Sequence, residues 1–322
     1  MNNPTLTQYL LNQLAEHPEQ KDLVLMMSEL AVIGKIISQQ TNKAGLTTIT
    51  HSTNTTNVQG EDVKELDVIA NDLCKNYLQQ TGHFAAMASE EEETVVDMSK
   101  ENPNASYIIA FDPLDGVSNI NVNIAVGTIF SIYKKRKELP AGDEQQFLRK
   151  GSEQVIAGYI MYSTSTTLVF SFGNGVHEFT LDQGTGEFFL SREYITIPDT
   201  CKNYSVNQTY TKHYTERDNT FIAYLRDDIE ASDRYVGSLI ADIHRNLIQG
   251  GVFMYFANDT KEKGVYKPKL RMVYEAQPIS FLVQQAGGTS TDGQINLLEK
   301  VPKSLHERTS LVTGNRKEIE QY

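Results

Sequence analysis

The sequence predicts a soluble protein of α/β or α+β class with layered sheets, and three observations support this prediction. Segments with helical spacing of apolar residues alternate in mixed order with short apolar runs that are typical of buried strands. The length of 322 residues suggests about two domains, at roughly 150 residues per domain. Of these residues 39% are hydrophobic and 22% charged, which is ordinary for a globular chain.

The composition also excludes several classes of protein. There are 29 Lys plus Arg residues against 41 Asp plus Glu, a formal net charge of −12 at pH 7, which argues against a nucleic-acid binder. The two cysteines, Cys74 and Cys201, cannot build a disulfide framework. Neither a signal-peptide pattern nor an apolar run of ~20 residues is present, so we expect a cytoplasmic protein.

Two helices are predicted in the N-terminal part, over residues 21 to 40 and from about Val63 to Tyr77. In each, apolar residues recur at intervals of three and four, and Asp67 falls on the flank of the buried face of the second helix. The segment between them, residues 42 to 60, is rich in Thr, Ser and Asn. It predicts a long mobile loop of the kind that often carries function.

Strand patterns follow these helices. Residues 107 to 111 (YIIAF) form a continuous apolar run typical of a buried strand, and residues 155 to 190 contain four strand-like runs separated by Gly-rich turns. The latter predict an antiparallel meander. The pattern becomes polar near residue 198, where we expect a boundary between domains of residues 1–198 and 199–322.

Beyond the boundary the pattern again mixes strands and helices. It predicts a strand over residues 221 to 225, a helix from about Asp233 to Ile248 and a strand over residues 252 to 256. A final helix is expected to end before Gly287 and Gly288, because glycine is common just after a helix C-terminus.

Two acidic motifs are candidates for metal chemistry. Four glutamates follow Ser89, which fits either a helix capping box on a solvated face or a set of metal ligands. The second motif, DPLDG, follows the buried strand that ends near residue 111 and fits an ordinary turn. A turn leaving a buried strand also holds Asp112 and Asp115 rigidly, three residues apart, and hard cations prefer such oxygen ligands.

A third candidate is Glu275, a carboxylate within an apolar segment, which fits a surface position, a partner for Arg271 or a metal ligand. The sequence does not match the other common site motifs. In an EF-hand loop counted from Asp112, the position that requires Gly is occupied by Val117. The sequence has no Walker lysine motif, G-x-S-x-G, H-E-x-x-H or zinc spacing. The residues alone therefore predict a carboxylate-rich Mg²⁺ site of the phosphoryl-transfer kind.

Seven motifs extend this prediction over nearly the whole chain. They are SEE from Ser89, FDPLDGVSNI from Phe111, VGTIF from Val126, YSVN from Tyr204, RYVGS from Arg234, GGVF from Gly250 and KLRMVYE from Lys269. In order and spacing they closely resemble the class I fructose-1,6-bisphosphatases, within the Mg²⁺-dependent, lithium-sensitive sugar phosphatase superfamily. The resemblance implies a layered α/β/α/β/α sugar-phosphatase fold with mixed sheets.

The resemblance also implies an activity and a metal requirement. The reaction would be hydrolysis of fructose 1,6-bisphosphate to fructose 6-phosphate and phosphate, in gluconeogenesis, by a metal-activated water attacking the 1-phosphate. Two or three Mg²⁺ ions, with Mn²⁺ as an alternative, would assist. The implied metal ligands are Glu90, Glu91, Asp112, Asp115, Glu275 and the Leu114 carbonyl. Asp67 and Glu91 would orient and deprotonate the water, Glu61 on the loop would assist, and Arg271 would stabilise the transition state.

Substrate contacts are implied in the same way. The backbone amides of Gly116, Val117 and Ser118 would bind the transferred phosphate. The distal phosphate would be bound by Asn207, Tyr210, Tyr235, Tyr255 and Lys269. Arg234 resembles the family arginine that reaches across from a neighbouring subunit, which implies a homotetramer or a dimer of dimers. The N-terminal domain would carry the metals and an allosteric-type site, and the C-terminal domain would bind the sugar phosphate.

Three positions depart from the family pattern: Val117 stands where the family has Ser, Asn121 where it has Asp, and Glu61 where it has Asp. None of them is a metal ligand, so we expect an active enzyme. Activity on sedoheptulose 1,7-bisphosphate and a weakly catalytic, sugar-phosphate-binding regulatory protein stay open as alternatives. The segments matching the family's AMP site are changed, so we expect AMP to inhibit weakly or not at all.

Overall fold

The computed structural model describes residues 3–16, 18, 21–46, 52–56, 62–258, 261–262 and 264–322. The helices in these ranges are α1 (Leu6–Glu16), α2 (Lys21–Thr41), α3 (Glu65–Gln80), α4 (Glu216–Ala223), α5 (Leu239–Gln249), α6 (Gln277–Gln285) and α7 (Arg316–Ile319). Short 3₁₀ helices cover Val117–Val122, Glu144–Gln146, Gly151–Glu153 and Gln208–His213, and π-helical turns cover Tyr224–Asp228 and Met272–Ala276. None of the described helices is long and apolar enough to cross a bilayer.

The strands of the described residues form two main sheets and three short pairs. They are β1 (Ser52–Thr56), β2 (Asp62–Lys64), β3 (Phe84–Ser89), β4 (Val96–Asp97), β5 (Tyr107–Asp115), β6 (Val126–Lys134), β7 (Ile156–Tyr162), β8 (Thr166–Ser171), β9 (His177–Asp182), β10 (Glu187–Arg192), β11 (Asn203–Ser205), β12 (Ser232–Asp233), β13 (Gly251–Tyr255), β14 (Lys261–Glu262), β15 (Val265–Tyr266), β16 (Leu270–Arg271), β17 (Thr289–Thr291), β18 (Arg308–Thr309) and β19 (Leu311–Gly314). The pairs are β1 with β2, β14 with β15, and β16 with β18.

Both main sheets are mixed. The larger has the order β10-β9-β8-β7-β6-β5-β3-β4 and is antiparallel except where β3 runs parallel to β5. The smaller has the order β12-β11-β13-β19-β17, with β11 parallel to both of its neighbours. The confirmed meander β7 to β10 forms one end of the larger sheet.

The core is divided into layers by these sheets. Helices α1 to α3 pack on one face of the larger sheet. Helices α5 and α6 fill the space between the two sheets, where Ile240 and Ile279 share a cluster with Tyr159 of the larger sheet and Phe253 of the smaller. Helix α4 covers the far face of the smaller sheet, where Phe221 packs with β13 and β19. The expected α/β/α/β/α layering with mixed sheets is confirmed.

Burial on both faces explains why the central strands are continuous apolar runs. Strands β7 and β8 are buried along their whole length, and the run predicted at residues 107–111 lies within β5. The helix predicted over residues 21–40 is α2, and the one predicted before Gly287 is α6. Gly287 itself has φ +87°, a conformation that glycine adopts without strain.

Three predictions on secondary structure were wrong. Residues 221–225, predicted as a strand, lie in α4 and the π-turn after it, because Thr215 and Asp218 form a capping box and the apolar side chains then follow helical spacing. The helix predicted from Asp233 begins only at Leu239, after the short strand β12.

The third concerns the predicted loop of residues 42–60, in which residues 52–56 form strand β1, paired antiparallel with β2. Residues 47–51 and 57–60 of that predicted loop lie outside the described residues. Asp67 is more deeply placed than expected: it lies in the first turn of α3 and is buried.

Candidate active site

The acidic motifs meet because β3 and β5 are parallel neighbours in the larger sheet. Ser89 at the end of β3 pairs with Phe111 of β5, and the Glu90 backbone N–H donates to the Phe111 carbonyl at 3.1 Å. No helix follows Ser89, so the capping-box interpretation of this motif was wrong. The carboxyl ends of the two strands instead place Glu90, Glu91 and the DPLDG motif at the same edge of the sheet.

The DPLDG motif adopts an irregular strand end. The pairing of β5 with β6 is interrupted between Asp112 and Asp115, where Pro113 lacks an N–H to donate. The Asp112 side chain accepts from the Leu114 N–H at 2.9 Å, and the Thr128 hydroxyl donates to the Pro113 carbonyl at 2.9 Å. The first bond orients the Asp112 side chain, and the second holds the backbone between the two aspartates.

Glu275 reaches the same place from the C-terminal part of the chain. It lies in the π-helical turn before α6, a local geometry often found at functional sites. Its Oε2 accepts from the backbone N–H of Arg271 at 2.5 Å. One carboxylate oxygen each from Asp112, Asp115 and Glu275 lies within 4.8 Å of the others. The structure therefore collects acidic residues from distant parts of the sequence.

Burial makes this cluster costly in its ionised form. The pKa of Asp112 is raised well above its usual range, first by burial and then by the negative charges of Glu90, Asp115 and Glu275. Burial, followed by the charge of Glu90, raises the pKa of Asp115 to about 7. The pKa of Glu275 is also raised, first by burial and then by Glu90 and Asp115. Like charges this close in a desolvated site favour protonation unless a cation is present.

The donor set fits a divalent cation. Oδ2 of Asp115 is buried and has no hydrogen-bond partner among the described residues, and buried polar atoms are normally paired. Carboxylate oxygens are the ligands that hard cations such as Mg²⁺ prefer. The residues present can therefore hold such an ion.

Arg271 places a positive charge beside the carboxylates. The side chain is 2% exposed, and its Nη2 lies 3.3 Å from Oε1 of Glu90. Its Nη1 donates to the carbonyl of Lys269 at 2.9 Å. The guanidinium pairs with Glu90, while the contact to Glu275 runs through the Arg271 backbone.

A cavity of about 520 Å³ opens over this cluster. The residues predicted from the sequence that line it are Asp67, Glu90, Glu91, Asp112, Leu114, Asp115, Gly116, Val117, Ser118, Tyr235, Tyr255, Lys269, Arg271 and Glu275. The cavity is therefore lined by carboxylates, and Lys269 and two tyrosines belong to its lining from the C-terminal part. Such an arrangement suits a small phosphorylated ligand held partly through cations.

Four predicted residues do not line the cavity or cannot be placed. Asn207 caps the 3₁₀ helix that begins at Gln208 and hydrogen-bonds the Tyr235 side chain. Tyr210 lies close enough to Tyr235 and Tyr255 to influence them electrostatically. Both residues are therefore near tyrosines that line the cavity. Arg234 is exposed on the single chain, and its Nη1 donates to the Asp233 carbonyl at 3.1 Å. Glu61 lies outside the described residues.

The positions that depart from the family pattern also have distinct surroundings. Val117 lines the cavity and packs on the larger hydrophobic core. Asn121 is exposed and is not part of the cavity lining. An acidic residue at position 121 is therefore not required to complete this lining.

Sequence reasoning missed six of the described residues that line the cavity. They are Gly237, Ser238, Leu239, Asp242, Phe253 and Leu270. For Ser238 a signal existed, because it precedes an apolar helical pattern and is the N-cap of α5, accepting from the Ala241 N–H at 3.4 Å. Leu239 and Phe253 carry no comparable signal, since apolar residues at such positions usually belong to the core.

Comparisons with known proteins agree on one family. The family profile described as "Fructose-1-6-bisphosphatase, N-terminal domain" matches residues 4–193, and the one described as "Fructose-1-6-bisphosphatase, C-terminal domain" matches residues 197–322. A relative named fructose-1,6-bisphosphatase class 1 from Maridesulfovibrio salexigens is 45% identical over 98% of this chain and 95% of its own length. Another of that name, from Chlorobium phaeovibrioides, is 42% identical over 98% and 95%.

Solved structures give the same result. A crystal structure of Leishmania major fructose-1,6-bisphosphatase in holo form has a TM-score of 0.90 with this chain. The two are 34% identical, and the match covers 100% of this chain and 98% of the other. The apo form of the same Leishmania enzyme has a TM-score of 0.86 at 33% identity, over 99% and 98% of the two chains.

Proposed function

The chain belongs to the class 1 fructose-1,6-bisphosphatase family, and from this premise we propose how its own residues carry out the reaction. It is a fructose-bisphosphatase, a phosphoric monoester hydrolase that acts on fructose 1,6-bisphosphate. The observation that carries the proposed mechanism is the buried cluster of Asp112, Asp115 and Glu275 at the floor of the cavity. The products are fructose 6-phosphate and phosphate.

The proposed metal site consists of the cluster with Glu90, Glu91 and the Leu114 carbonyl. It would hold two or three Mg²⁺ ions, with Mn²⁺ as a substitute. Bound there, a divalent cation activates a water molecule and offsets the charge of the transferred phosphate. The raised pKa values of Asp112 and Glu275 support this assignment, because burial and then the neighbouring carboxylates raise them, and a bound cation would offset both effects.

Asp67 and Glu91 are proposed to orient the attacking water and take its proton. Both line the cavity, and Asp67 is buried at the first turn of α3, which limits its motion. A buried carboxylate held by a helix is suited to act as a general base. Glu61 is proposed to assist from the segment before α3.

Charge on the transferred phosphate is proposed to be stabilised by two sets of donors. Arg271 lies next to the cluster, and the backbone amides of Gly116, Val117 and Ser118 lie where β5 passes into a 3₁₀ helix. Fixed donors aimed at developing charge are usually the largest contribution to such catalysis. Val117 contributes its amide but no hydroxyl.

The distal 6-phosphate is proposed to be bound by residues from the C-terminal part of the chain. Lys269, Tyr235 and Tyr255 line the cavity, Asn207 hydrogen-bonds the Tyr235 side chain, and Tyr210 lies near Tyr235. A cation and several hydroxyl donors match a phosphate that does not react. The carboxylates with their cations, and the lysine with the tyrosines, are therefore assigned to the two phosphates of one substrate.

Arg234 is proposed to complete the site of a neighbouring subunit in a homotetramer, which is consistent with its exposed side chain. We further propose a cytoplasmic enzyme of gluconeogenesis. Residues 1–198 would form the domain that carries the metals and an allosteric-type site, and residues 199–322 the domain that binds the sugar phosphate.

Inhibition by AMP is proposed to be weak or absent. Tyr107 is retained from the family's AMP segments, but burial and then the negative charge of Asp22 raise the pKa of its hydroxyl. Asp22 thus places a carboxylate close to the tyrosine. A phosphate approaching this position would meet like charge.

The experiment that tests the proposed function is phosphate release from fructose 1,6-bisphosphate with Mg²⁺, with Mn²⁺, with a chelator, and with AMP. We expect release that requires a divalent cation and persists in the presence of AMP. Release that continues in the chelator would overturn the metal assignment. Inhibition by low-micromolar AMP would overturn the regulatory proposal, and faster release from sedoheptulose 1,7-bisphosphate would reassign the preferred substrate.

A further inference from the structure

Side chains on one face of helix α3 contact the acidic turn after β3. Asp67, Asn71 and Lys75 are spaced four residues apart, so they lie in a row along one side of the helix. Asp67 lines the cavity. The other two residues contact the turn after β3 on either side of its two cavity-lining glutamates, as the following bonds show.

Asn71 bridges the two ends of this turn. Its Oδ1 accepts from the hydroxyl of Ser89 at 2.8 Å, and its Nδ2 donates to Oε1 of Glu92 at 2.7 Å. Asn71 is 7% exposed and Ser89 is fully buried. The Ser89 hydroxyl also accepts from the backbone N–H of Glu91 at 3.3 Å. One amide side chain on α3 therefore brackets Glu90 and Glu91.

Glu92 differs from the two glutamates before it. Among the described residues that line the cavity, Glu90 and Glu91 are included and Glu92 is not. Its Oε1 lies 2.6 Å from Nζ of Lys75, and its backbone carbonyl lies 3.0 Å from Nε2 of His306. Its carboxylate is thus directed towards α3, where two donors hold it.

We propose that Asn71, together with Glu92 and Lys75, is a positioning device that fixes Glu90 and Glu91 relative to Asp67. The inference rests on the proposed function, in which Asp67 and Glu91 act on one water and Glu90 and Glu91 bind metal. Without these bonds α3 and the turn would be free to shift relative to each other. Displacements of about 1 Å in a catalytic constellation cost as much as ~10²-fold in rate.

The test compares Asn71→Leu, which removes the bridge without changing charge, with wild type. We expect kcat to fall by about 10-fold to 100-fold, the range for residues that support metal ligands. The KM for fructose 1,6-bisphosphate should stay within about twofold, because the distal-phosphate residues are untouched. The dissociation constant of Mn²⁺, measured by electron paramagnetic resonance without substrate, should rise by about 10-fold.

A matched control is Lys35→Met, which breaks the 3.3 Å ion pair between Lys35 on α2 and Glu187 on β10. Lys35 and Lys75 are similarly exposed, at 27% and 29%. Lys75→Met should lower kcat and weaken Mn²⁺ binding, and Lys35→Met should change neither. Because Lys75 lies at the helix surface, this pair of variants keeps the test decisive even where Asn71→Leu does not fold.

A double-mutant cycle of Asn71→Leu with Glu92→Met, which removes the acceptor for the Asn71 amide, tests the bond itself. We expect the double variant to lose no more than about twofold beyond the worse single variant, because both remove one shared contact. Unchanged kcat and Mn²⁺ affinity in folded variants with a lowered melting temperature would overturn the proposal and leave Asn71 a structural residue. Failure of the proposed function is distinguishable, since wild type itself would then release no phosphate in the presence of metal.

Discussion

The carboxylate of Asp242 accepts a hydrogen bond from the backbone N–H of Gly237 at 3.1 Å. It also accepts from the N–H of Val236 at 3.0 and 3.1 Å, and Nη2 of Arg245 lies 2.5 Å from its Oδ1. Asp242 is fully buried, and Gly237 has φ +83°, a conformation that glycine tolerates best. The backbone conformation of the segment after Arg234 is therefore held by hydrogen bonds to one carboxylate on α5.

Asp242→Ala is expected to raise the KM for fructose 1,6-bisphosphate by roughly tenfold, about 1.4 kcal/mol, with kcat nearly unchanged. The reason is that Tyr235 and Gly237 line the cavity and lose the support of this carboxylate. Asp242→Asn retains an acceptor for the amides and should have a smaller effect. Steady-state kinetics of both variants, with melting temperatures, provide the measurement.

Asp292 offers a matched control for this prediction. Its carboxylate also accepts from two backbone amides, those of Gln294 and Ile295, and pairs with Lys300 at 2.8 Å. Asp292 is absent from the residues lining the cavity. Asp292→Ala should lower the melting temperature and leave KM as it is; an equal rise in KM for both variants would contradict the prediction.

Asp67→Asn is expected to lower kcat by roughly 10²-fold or more and to leave KM nearly intact, in the range for loss of a general base. The change keeps the size of the side chain and removes its negative charge and its ability to take a proton. Asp72→Asn on the same helix, with an aspartate side chain that is 61% exposed, should behave as wild type. An unchanged kcat for Asp67→Asn would remove Asp67 from the mechanism.

Lys269→Ala is expected to raise KM by more than it lowers kcat, because Lys269 is assigned to the phosphate that does not react. Its place in the cavity lining supports this assignment. Lys317→Ala removes the same charge from the exposed surface of α7 and serves as the control. A fall in kcat at constant KM would instead place Lys269 near the reacting phosphate.

The sequence predicted the parts of the site that are local and could not predict those that depend on tertiary contacts. The run YIIAF followed by DPLDG predicted a buried strand ending in two carboxylates, and β5 confirms it. Glu275 was identifiable as a carboxylate in an apolar segment. The π-helical turn that places it beside Asp112 and Asp115 could not be predicted from the spacing of residues. Phe221 to Leu225 fit either a strand or a helix by apolar content, and the capping box at Thr215 decided the outcome.

The surroundings of Asp67 also combine local features that the sequence predicted with a tertiary contact that it did not predict. Helical spacing predicted α3 and the position of Asp67 on its flank. Helix α3 is joined to the turn after β3 by the hydrogen bond between Ser89 and Asn71. The sequence indicated no role for Asn71, and it suggested a helix cap for Ser89 and no contact with α3. Contacts of this kind cannot be predicted from the sequence, because they depend on how the fold places α3 next to the end of β3.

Metal-free protein is expected to gain stability from Asp115→Asn at pH 8. The folded-state pKa of Asp115 is about 7, whereas an unperturbed aspartate titrates near 3.9. Between about pH 4 and pH 7 the folded state therefore keeps a proton that the unfolded state has lost. The contribution of Asp115 to the free energy of unfolding falls as pH rises through that window, and it stays lowered at higher pH. Asn carries no charge and avoids this loss.

Thermal unfolding with a chelator, for wild type and Asp115→Asn at pH 5 and pH 8, is the measurement. The advantage of the variant should be larger at pH 8 than at pH 5. Adding Mn²⁺ at pH 8 should raise the melting temperature of wild type more than that of the variant. A bound cation offsets the charge of the buried Asp115 carboxylate in wild type, and the variant has lost this ligand. A variant that is less stable than metal-free wild type at pH 8 would show that Asp115 is satisfied without metal.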